Sequence, residues 1–286
     1  MPDGSVIVVE IAAGEITRIQ PDGRKERVAL TGGGPNGAAI GPDGALYICN
    51  NGGSAWLNHD GLTLPGNQPD DYDGGRIERI DLATGKVERL YQSFNGLALS
   101  APNDLVFDRN GGFWFTDTGK VRDHDRDHGS VYYARADGSL IVQAVPSLLG
   151  SPNGIGLSPD GLTLYVSLTH ERNILAFKII GEGVVAPSLL AALPGNVVCS
   201  FPGRMMLDSL AIDANGHICV ATMAERPGIA TVNPVTQTFT HIDLPDFLPT
   251  NIAFGGPDLC DAYITLSSTG RLIKMQWPVP GLPLAY

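Results

Sequence analysis

One polar residue recurs at a fixed place in a repeated pattern of this chain. Each copy holds a β-type run, a tight turn with a glycine, and a second β-type run, and Leu259 stands in for the glycine in the last copy. A short oxygen-bearing side chain lies eight residues before each turn glycine, and the five residues are Asn36, Asn103, Asn153, Asp208 and Asn251. Because repeats place equivalent residues in equivalent surroundings, these oxygens are candidates for one site.

Amide and carboxylate oxygens that converge without imidazole or thiolate suit a hard cation, calcium before magnesium or manganese, rather than zinc. Asp208 is the one carboxylate among amides, and Ser209 beside it replaces the Gly or Asp of other copies. A structural alternative stays open, because Asn-Gly pairs such as Asn36-Gly37 and Asn153-Gly154 form turns, and Asx side chains cap backbone groups without binding a ligand.

The elements that carry these residues are predicted to be short strands. Runs rich in aromatic and β-branched residues are bounded by Pro-Asp-Gly or Asn-Gly turns, and no window has a helical apolar stripe. Successive members of the polar set are 67, 50, 55 and 43 residues apart. Repeats of this size, each worth four strands, are typical of a propeller. With the opening Pro2–Glu10 segment counted, the sequence predicts an all-β, six-bladed β-propeller of four-stranded antiparallel blades in one domain, residues 1–286.

The first repeat is expected to be incomplete on its N-terminal side. Its turn glycine is Gly4, so the polar position of this repeat falls ahead of Met1. Either the protein lacks that residue, or the sequence begins inside the first repeat.

The longest interval contains a polar, Gly/Pro-rich segment at residues 51–73, predicted as a long loop on the rim that carries the polar set. A lid over a pocket and a mobile decoration are equal alternatives. Trp56 in this segment and His170, which follows a strand of the fourth repeat, are candidate substrate contacts.

Composition excludes some functions. The net charge of −11 argues against nucleic-acid binding, which needs a basic surface. No apolar run has the length of a membrane span, and Met1 leads into Pro-Asp-Gly rather than a signal peptide. We therefore expect a cytoplasmic protein, and a leader ahead of the sequence is the open alternative.

The four cysteines have no metal-ligand spacing and are expected to be reduced and structural. Nothing in the sequence predicts an oligomeric state.

A second polar set lies six residues after each turn position. Its members are Glu10, Asn50, Asp117, Ser167, Thr222 and Thr265. We expect these side chains to bond backbone groups at strand ends, in preference to forming a shell around the first set. The Asp123–His128 segment begins like a calcium loop but lacks its glycine and final glutamate, which favours a solvated loop.

Three motifs resemble those of the SMP-30/gluconolactonase family of six-bladed propellers: PNDLVFDRNGGFWFTD, PNGIGLSPDGLTLYVS and DSLAIDANG. The resemblance covers essentially the whole chain. It implies an axial metal held by Asn153 and Asp208, with Ser209 matching the Asp-Ser of some lactonase members, and a substrate contact at Asn103. The family's first-blade glutamate ligand has no counterpart in this sequence, because neither Glu10 nor Glu15 is in register.

The function predicted from these features is a metal-dependent hydrolase that opens a small lactone, either a sugar lactone or an aliphatic one. The cofactor is one divalent cation, calcium first, with magnesium, manganese or zinc as alternatives. Asp208 would act as general base, and Asn103 and Asn36 would orient the substrate. The alternatives are a non-catalytic propeller that binds a small molecule or a protein, and a related metal-dependent esterase or phosphotriesterase.

Overall fold

The structure is a computed structural model that describes residues 1–189 and 194–286, without the side chains of residues 147–149. Within these residues it is all-β, with a single 3₁₀ turn at Ser267–Thr269 as its only helical element. None of the described residues forms a helix with the length and hydropathy of a membrane span.

The strands follow one another along the chain with short connections. Those up to residue 107 are β1 (Val6–Glu10), β2 (Glu15–Ile19), β3 (Lys25–Leu30), β4 (Pro35–Ile40), β5 (Leu46–Asn50), β6 (Trp56–His59), β7 (Leu62–Pro65), β8 (Arg76–Ile80), β9 (Val87–Tyr91), β10 (Ser93–Phe94), β11 (Leu97–Ala98) and β12 (Pro102–Phe107). Those up to residue 200 are β13 (Gly112–Asp117), β14 (Gly129–Arg135), β15 (Ile141–Leu149), β16 (Pro152–Leu157), β17 (Thr163–Leu168), β18 (Asn173–Gly181), β19 (Val184–Val185) and β20 (Asn196–Ser200). The last are β21 (Met205–Ile212), β22 (Ile218–Ala224), β23 (Gly228–Asn233), β24 (Thr238–Asp243), β25 (Pro249–Gly255), β26 (Asp261–Leu266) and β27 (Arg271–Gln276).

These strands form six small antiparallel sheets, so the predicted six-bladed propeller fold is confirmed. The sheet orders are β1-β2-β3, β4-β5-β8-β9, β12-β13-β14-β15, β16-β17-β18-β19 with β20 also on β18, β21-β22-β23-β24, and β25-β26-β27. The prediction of four strands in each blade therefore holds for three sheets, whereas the fourth has five strands and the described parts of the first and last have three. Two hairpins, β6-β7 and β10-β11, are additional.

Backbone torsions confirm the register of the repeats. All six turn positions have positive φ: Gly4 (81°), Gly44 (74°), Gly111 (86°), Gly161 (70°), Gly216 (78°) and Leu259 (56°). Glycine adopts this left-handed region without a steric penalty, whereas Leu259 adopts it at a cost. The leucine therefore occupies the turn position that the alignment of the repeats predicts for it.

The chain divides into two units, each with its own core. Unit 1 is Met1–Leu57, Pro65–Gln143 and Ala285–Tyr286, and unit 2 is Asn58–Leu64 and Ala144–Leu284. In unit 1, Tyr47, Phe113 and Phe115 belong to an aromatic core cluster. In unit 2, the core cluster around Leu207 and Val220 is mainly aliphatic. Burial of such side chains stabilises each unit by about 1.5–3 kcal/mol per residue.

The second strands of the blades explain the lack of alternation in the sequence. Every residue of β5 and of β13 is buried, so these strands need apolar residues on both faces. Cys49 and Cys219 lie in such strands, and all four cysteines are free thiols, as predicted. Burial raises the pKa of the Cys219 thiol to about 12, which keeps it protonated and unreactive.

The prediction of a long loop at residues 51–73 is wrong in part, because the segment contains the β6-β7 hairpin. Its turn, Asp60-Gly61, has positive φ at both residues (49° and 79°), the geometry that favours Asp-Gly in a two-residue hairpin. The flanking backbone is also anchored, since Ala55 N donates to Asn67 O at 2.9 Å and Gln68 N donates to Val121 O at 2.8 Å.

Candidate functional site

In unit 2, a glycine brings the predicted metal ligands onto closely packed strands. Asn153 lies on β16 and Asp208 on β21. A Cβ added to Gly154 would lie 2.7 Å from Ser209 Cα and 2.8 Å from Asp208 O. Real Cβ atoms do not approach backbone so closely, so only glycine allows this approach. The Asn-Gly pair therefore has a packing role that brings the two strands together.

Ser167 links the same two strands by hydrogen bonds. Its Oγ accepts from Gly154 N at 2.8 Å and donates to Asp208 O at 2.7 Å. The side chain is fully buried. This confirms the prediction that residues of the second polar set bond backbone groups. In this copy, the bond also fixes the backbone of a predicted metal ligand.

Thr169 orients the amide of Asn153. Asn153 Nδ2 donates to Thr169 Oγ1 at 3.0 Å, and both residues are buried. Because the nitrogen faces Thr169, the amide rotation is fixed and its carbonyl oxygen lies on the opposite side of the amide plane. Sequence reasoning missed Thr169. Its only signal was its position two residues after Ser167.

The carboxylate of Asp208 is half-buried, and its Oδ1 accepts a hydrogen bond from Ser209 N at 3.0 Å. Ser209 is itself buried. A carboxylate, an amide oxygen and a hydroxyl are hard-oxygen donors of the kind that calcium prefers. No group of three His, Cys, Asp or Glu side chains within the described ranges has metal-site geometry.

Unit 1 repeats the glycine packing with different side chains. A Cβ on Gly37 of β4 would lie 2.6 Å from both Asn103 O and Asp104 Cα of β12. Asn36 is half-buried beside this contact. Asn103 Oδ1 is buried and accepts no hydrogen bond from any residue that the structure describes. A buried carbonyl oxygen without a donor costs about 1–3 kcal/mol, which fits a group kept for a ligand.

Two buried carboxylates of unit 1 hold the backbone beside Asn103. Asp104 Oδ1 accepts from Leu105 N at 2.9 Å. Asp117, a member of the second polar set, accepts from Ala101 N at 2.7 Å and Ser100 N at 2.8 Å. Burial raises the pKa of Asp117, and these backbone donors oppose the shift. The burial of Asp104 was not predicted, because an acidic residue in a repeat is expected in a turn or at the surface.

The two remaining predicted substrate contacts, Trp56 and His170, have different surroundings. His170 is exposed in the turn between β17 and β18. Trp56 is half-buried on β6 and lines a cavity of about 380 Å³ in unit 1 whose wall includes Arg76 and neither Asn36 nor Asn103. The structure therefore does not place Trp56 beside the polar set of unit 1, and the role of His170 stays a prediction.

Lys120 was not predicted and ties two segments of unit 1 together. Its buried Nζ donates to Gly53 O and lies 5.3 Å from the centre of the Tyr72 ring. Burial lowers the pKa of Lys120 to about 8, although Asp117 and Asp127 act in the opposite direction. A buried ammonium thus holds the start of segment 51–73.

The fold is a six-bladed propeller, and the predicted hard-oxygen ligands of unit 2 lie on neighbouring strands. The model of the SMP-30/Gluconolactonase/LRE-like region matches residues 1–268, and the chain belongs to this family.

Similar proteins agree with this family. A gluconolactonase of Zymomonas mobilis is 25% identical over 225 residues, with 68% of this chain and 55% of the relative covered. The lactonase drp35 of Staphylococcus haemolyticus is 26% identical over 221 residues, with 77% of this chain and 60% of the relative covered. The chain thus spans 55–60% of the length of these curated relatives. The crystal structure of a calcium-binding protein, regucalcin, from Agrobacterium tumefaciens has a TM-score of 0.76 at 20% identity and covers 100% of this chain and 90% of that one, a likeness of fold.

Proposed function

We propose that this protein is a metal-dependent lactonase that hydrolyses a small cyclic ester. The observation that carries the proposal is the close packing of β16 on β21, which holds Asn153 and Asp208–Ser209 on neighbouring strands. Family membership supports it, as do the names of the lactonase relatives.

Asn153 Oδ1, the Asp208 carboxylate and Ser209 Oγ would hold the cation. Calcium is the first expectation for this set, since all three donors are hard oxygens, and magnesium, manganese and zinc are the alternatives. A divalent cation bound there would supply Lewis-acid polarisation of the lactone carbonyl, worth several kcal/mol of transition-state stabilisation.

Asp208 acts as general base in this proposal. Its carboxylate accepts a proton from the attacking water as the water oxygen bonds to the lactone carbonyl carbon. The ring C–O bond then breaks, and the alkoxide leaving group takes the proton back from Asp208, which gives the hydroxy acid and restores the carboxylate. The hydrogen bond from Ser209 N stabilises the ionised form of Asp208, which the base role requires.

Asn103 and Asn36 orient the substrate. The buried Oδ1 of Asn103 accepts a hydrogen bond from a substrate hydroxyl, which offsets the cost of leaving that oxygen without a donor. Hydrogen bonding of this kind favours a hydroxylated sugar lactone over an aliphatic one, because an aliphatic ring cannot satisfy the buried acceptor.

The test is hydrolysis of a panel of sugar lactones, aliphatic lactones, linear esters and a phosphotriester by the purified protein. We expect lactone hydrolysis that a chelator abolishes and calcium restores, and a loss of about 10³-fold or more in kcat in Asp208→Ala. Asp258→Ala, which changes an exposed turn carboxylate of unit 2, is the matched control and should keep full activity. Unchanged lactone hydrolysis in Asp208→Ala would overturn the assignment, and preferred cleavage of linear esters or the phosphotriester would replace the substrate class.

A further inference from the structure

We infer that the cavity of about 380 Å³ in unit 1 binds a neutral, polyhydroxylated ring such as a pyranoside. This inference does not depend on the proposed lactonase function. The side chains that matter are Ser54, Trp56, Asp71, Asp73, Arg76 and Arg89, which all line the cavity.

One wall of the cavity is a chain of ion pairs built around Arg76. The Arg76 side chain is 2% exposed, and its Nη1 lies 2.7 Å from Asp73 Oδ1. Arg89 Nη2 lies 2.6 Å from the other oxygen, Asp73 Oδ2. Behind the wall, Arg76 Nε lies 2.5 Å from Oε1 of the buried Glu78. Each of these four charged groups therefore has a partner already. The buried Arg76–Glu78 pair is the fixed part of the wall, whereas Asp73 and Arg89 are about half exposed.

The formal charges around the cavity cancel. Two arginines, Arg76 and Arg89, face two aspartates, Asp71 and Asp73. A site for a phosphate or a carboxylate needs an excess of cationic donors, and the lining carries none. A neutral ligand therefore suits this cavity better than an anion.

Glycines keep another part of the wall free of side chains. Gly33 has φ of 58°, and a Cβ there would lie 2.6 Å from Asn50 Oδ1. Gly52 has φ of 79°, and a Cβ there would lie 2.4 Å from the Tyr72 ring. Because larger residues do not fit at these positions, backbone N–H and C=O groups form this part of the lining. The N–H groups of Gly52 and Gly53 already donate hydrogen bonds within the protein, so this part of the lining serves the hydroxyls of a sugar through carbonyl oxygens, each of which has two lone pairs.

Three lining groups have hydrogen-bonding capacity that no described residue uses. These are the Ser54 hydroxyl, the Trp56 indole N–H and the Asp71 carboxylate. A half-buried indole offers a flat apolar face to the C–H groups of a ring, while a hydroxyl and a carboxylate bond its hydroxyls. An aromatic face with a few polar groups in a concave site is the usual composition of a small-molecule site, and in this cavity it matches a sugar ring.

Trp56 provides a direct reporter. The chain has three tryptophans, and Trp114 and Trp277 are only 1% and 3% exposed. Quenching of tryptophan fluorescence by acrylamide therefore reports mainly on Trp56. We expect methyl β-D-glucopyranoside, which lactonase chemistry does not consume, to protect the fluorescence with a Kd on the order of 1 mM, as ligand size suggests.

Calorimetric titration of the same glycoside separates the cavity from other sites. Trp56→Ala should weaken binding at least about tenfold, and Ser54→Ala, a change too small to endanger folding, about threefold. Leu57→Ala changes the exposed neighbour of Trp56 outside the lining and should leave the Kd within about twofold. Near-ultraviolet circular dichroism checks the fold of each variant.

Three outcomes would overturn the inference. The first is no glycoside binding up to about 50 mM, which is far above the expected Kd. The second is equal binding by the wild type and both cavity variants, and the third is binding of D-gluconate without binding of the glycoside. The last outcome would indicate an anion site. None of these readouts uses catalytic activity, so a failed lactonase assay leaves the test intact.

Discussion

In two pairs of strands, a glycine of one strand packs on the backbone of the other. The two pairs differ in the side chains at the polar position. In unit 1, Gly37 of β4 packs on the backbone of Asn103 and Asp104. In unit 2, Gly154 of β16 packs on the backbone of Asp208 and Ser209. The backbone approach is the same to within a few tenths of an ångström, so the side chain at the polar position decides what each pair can bind.

The strand-end residues sharpen this difference. Ser167 in unit 2 bridges Gly154 N and Asp208 O, so it connects the two strands of the candidate metal set. Its counterpart in unit 1, Asn50, accepts from Gly34 N and Gly52 N and donates to Glu78, so it holds loops and a buried ion pair instead. Ser167 therefore supports the backbone of a predicted cation ligand in unit 2, whereas Asn50 supports loops and an ion pair in unit 1.

The largest expected effect is the loss of stability when either of the two packing glycines is replaced. Gly154→Ala and Gly37→Ala each place a Cβ within 2.8 Å of neighbouring backbone, so each should destabilise the protein by about 3 kcal/mol or more. Chemical denaturation measures this. Gly181→Ala is the matched control, because its Cβ would meet nothing closer than 3.8 Å, and it should be nearly neutral. Loss of stability in only one glycine variant would show that the two pairs are not equivalent.

A second prediction concerns the position three residues after the member of the second polar set, which is Asp117 in unit 1 and Ser167 in unit 2. This position is the buried Lys120 in unit 1 and the exposed His170 in unit 2. Burial lowers the pKa of Lys120 from its ordinary 10.5 to about 8. Between these values the unfolded chain binds a proton that the folded chain lacks, so stability rises with pH across this window. Wild type should gain roughly 2–3 kcal/mol relative to Lys120→Met from pH 8 to 10.5, and below pH 8 the difference should be flat.

Urea denaturation at several pH values measures this difference. Lys86→Met removes an exposed lysine of unit 1 and should show no such pH dependence. A constant difference between wild type and Lys120→Met from pH 7 to 10.5 would mean that the Lys120 ammonium is not held at a burial cost.

A third, smaller effect tests the bridge in unit 2. Ser167→Ala leaves Gly154 N and Asp208 O without their partner, which should cost about 1–3 kcal/mol of stability. Because the bridge fixes the Asp208 backbone, calcium binding should also weaken by about tenfold, as for other residues that orient metal ligands. Asn50→Ala in unit 1 is the comparison variant and should lower stability without weakening calcium binding. Equal weakening in both variants would contradict the division of roles.

Much of this arrangement was predictable because local chemistry determines it. Turns with positive φ select glycine, so the repeats could be aligned on their glycines, and even Leu259 adopts the left-handed conformation that its place in the alignment required. The strand-end set was predictable for a similar reason, since short polar side chains at strand ends bond nearby backbone.

What the sequence did not show depends on contacts between distant residues. Thr169 holds Asn153 across 16 positions and Lys120 reaches Gly53 across 67, and no local pattern marks either contact. The β6-β7 hairpin is a different case. Its Asp60-Gly61 pair was a readable turn signal, but it lay in a Gly/Pro-rich segment whose composition suggested a loop.

The central claim is that Asn153 and Asp208 hold one divalent cation together, and calorimetric titration of calcium into the metal-stripped protein tests it most directly. The account predicts one site in the wild type, with affinity at least about 100-fold weaker in Asp208→Asn and clearly weaker in Asn153→Ala, while Asp258→Asn matches the wild type. Calcium binding of unchanged affinity in both Asp208→Asn and Asn153→Ala would contradict it.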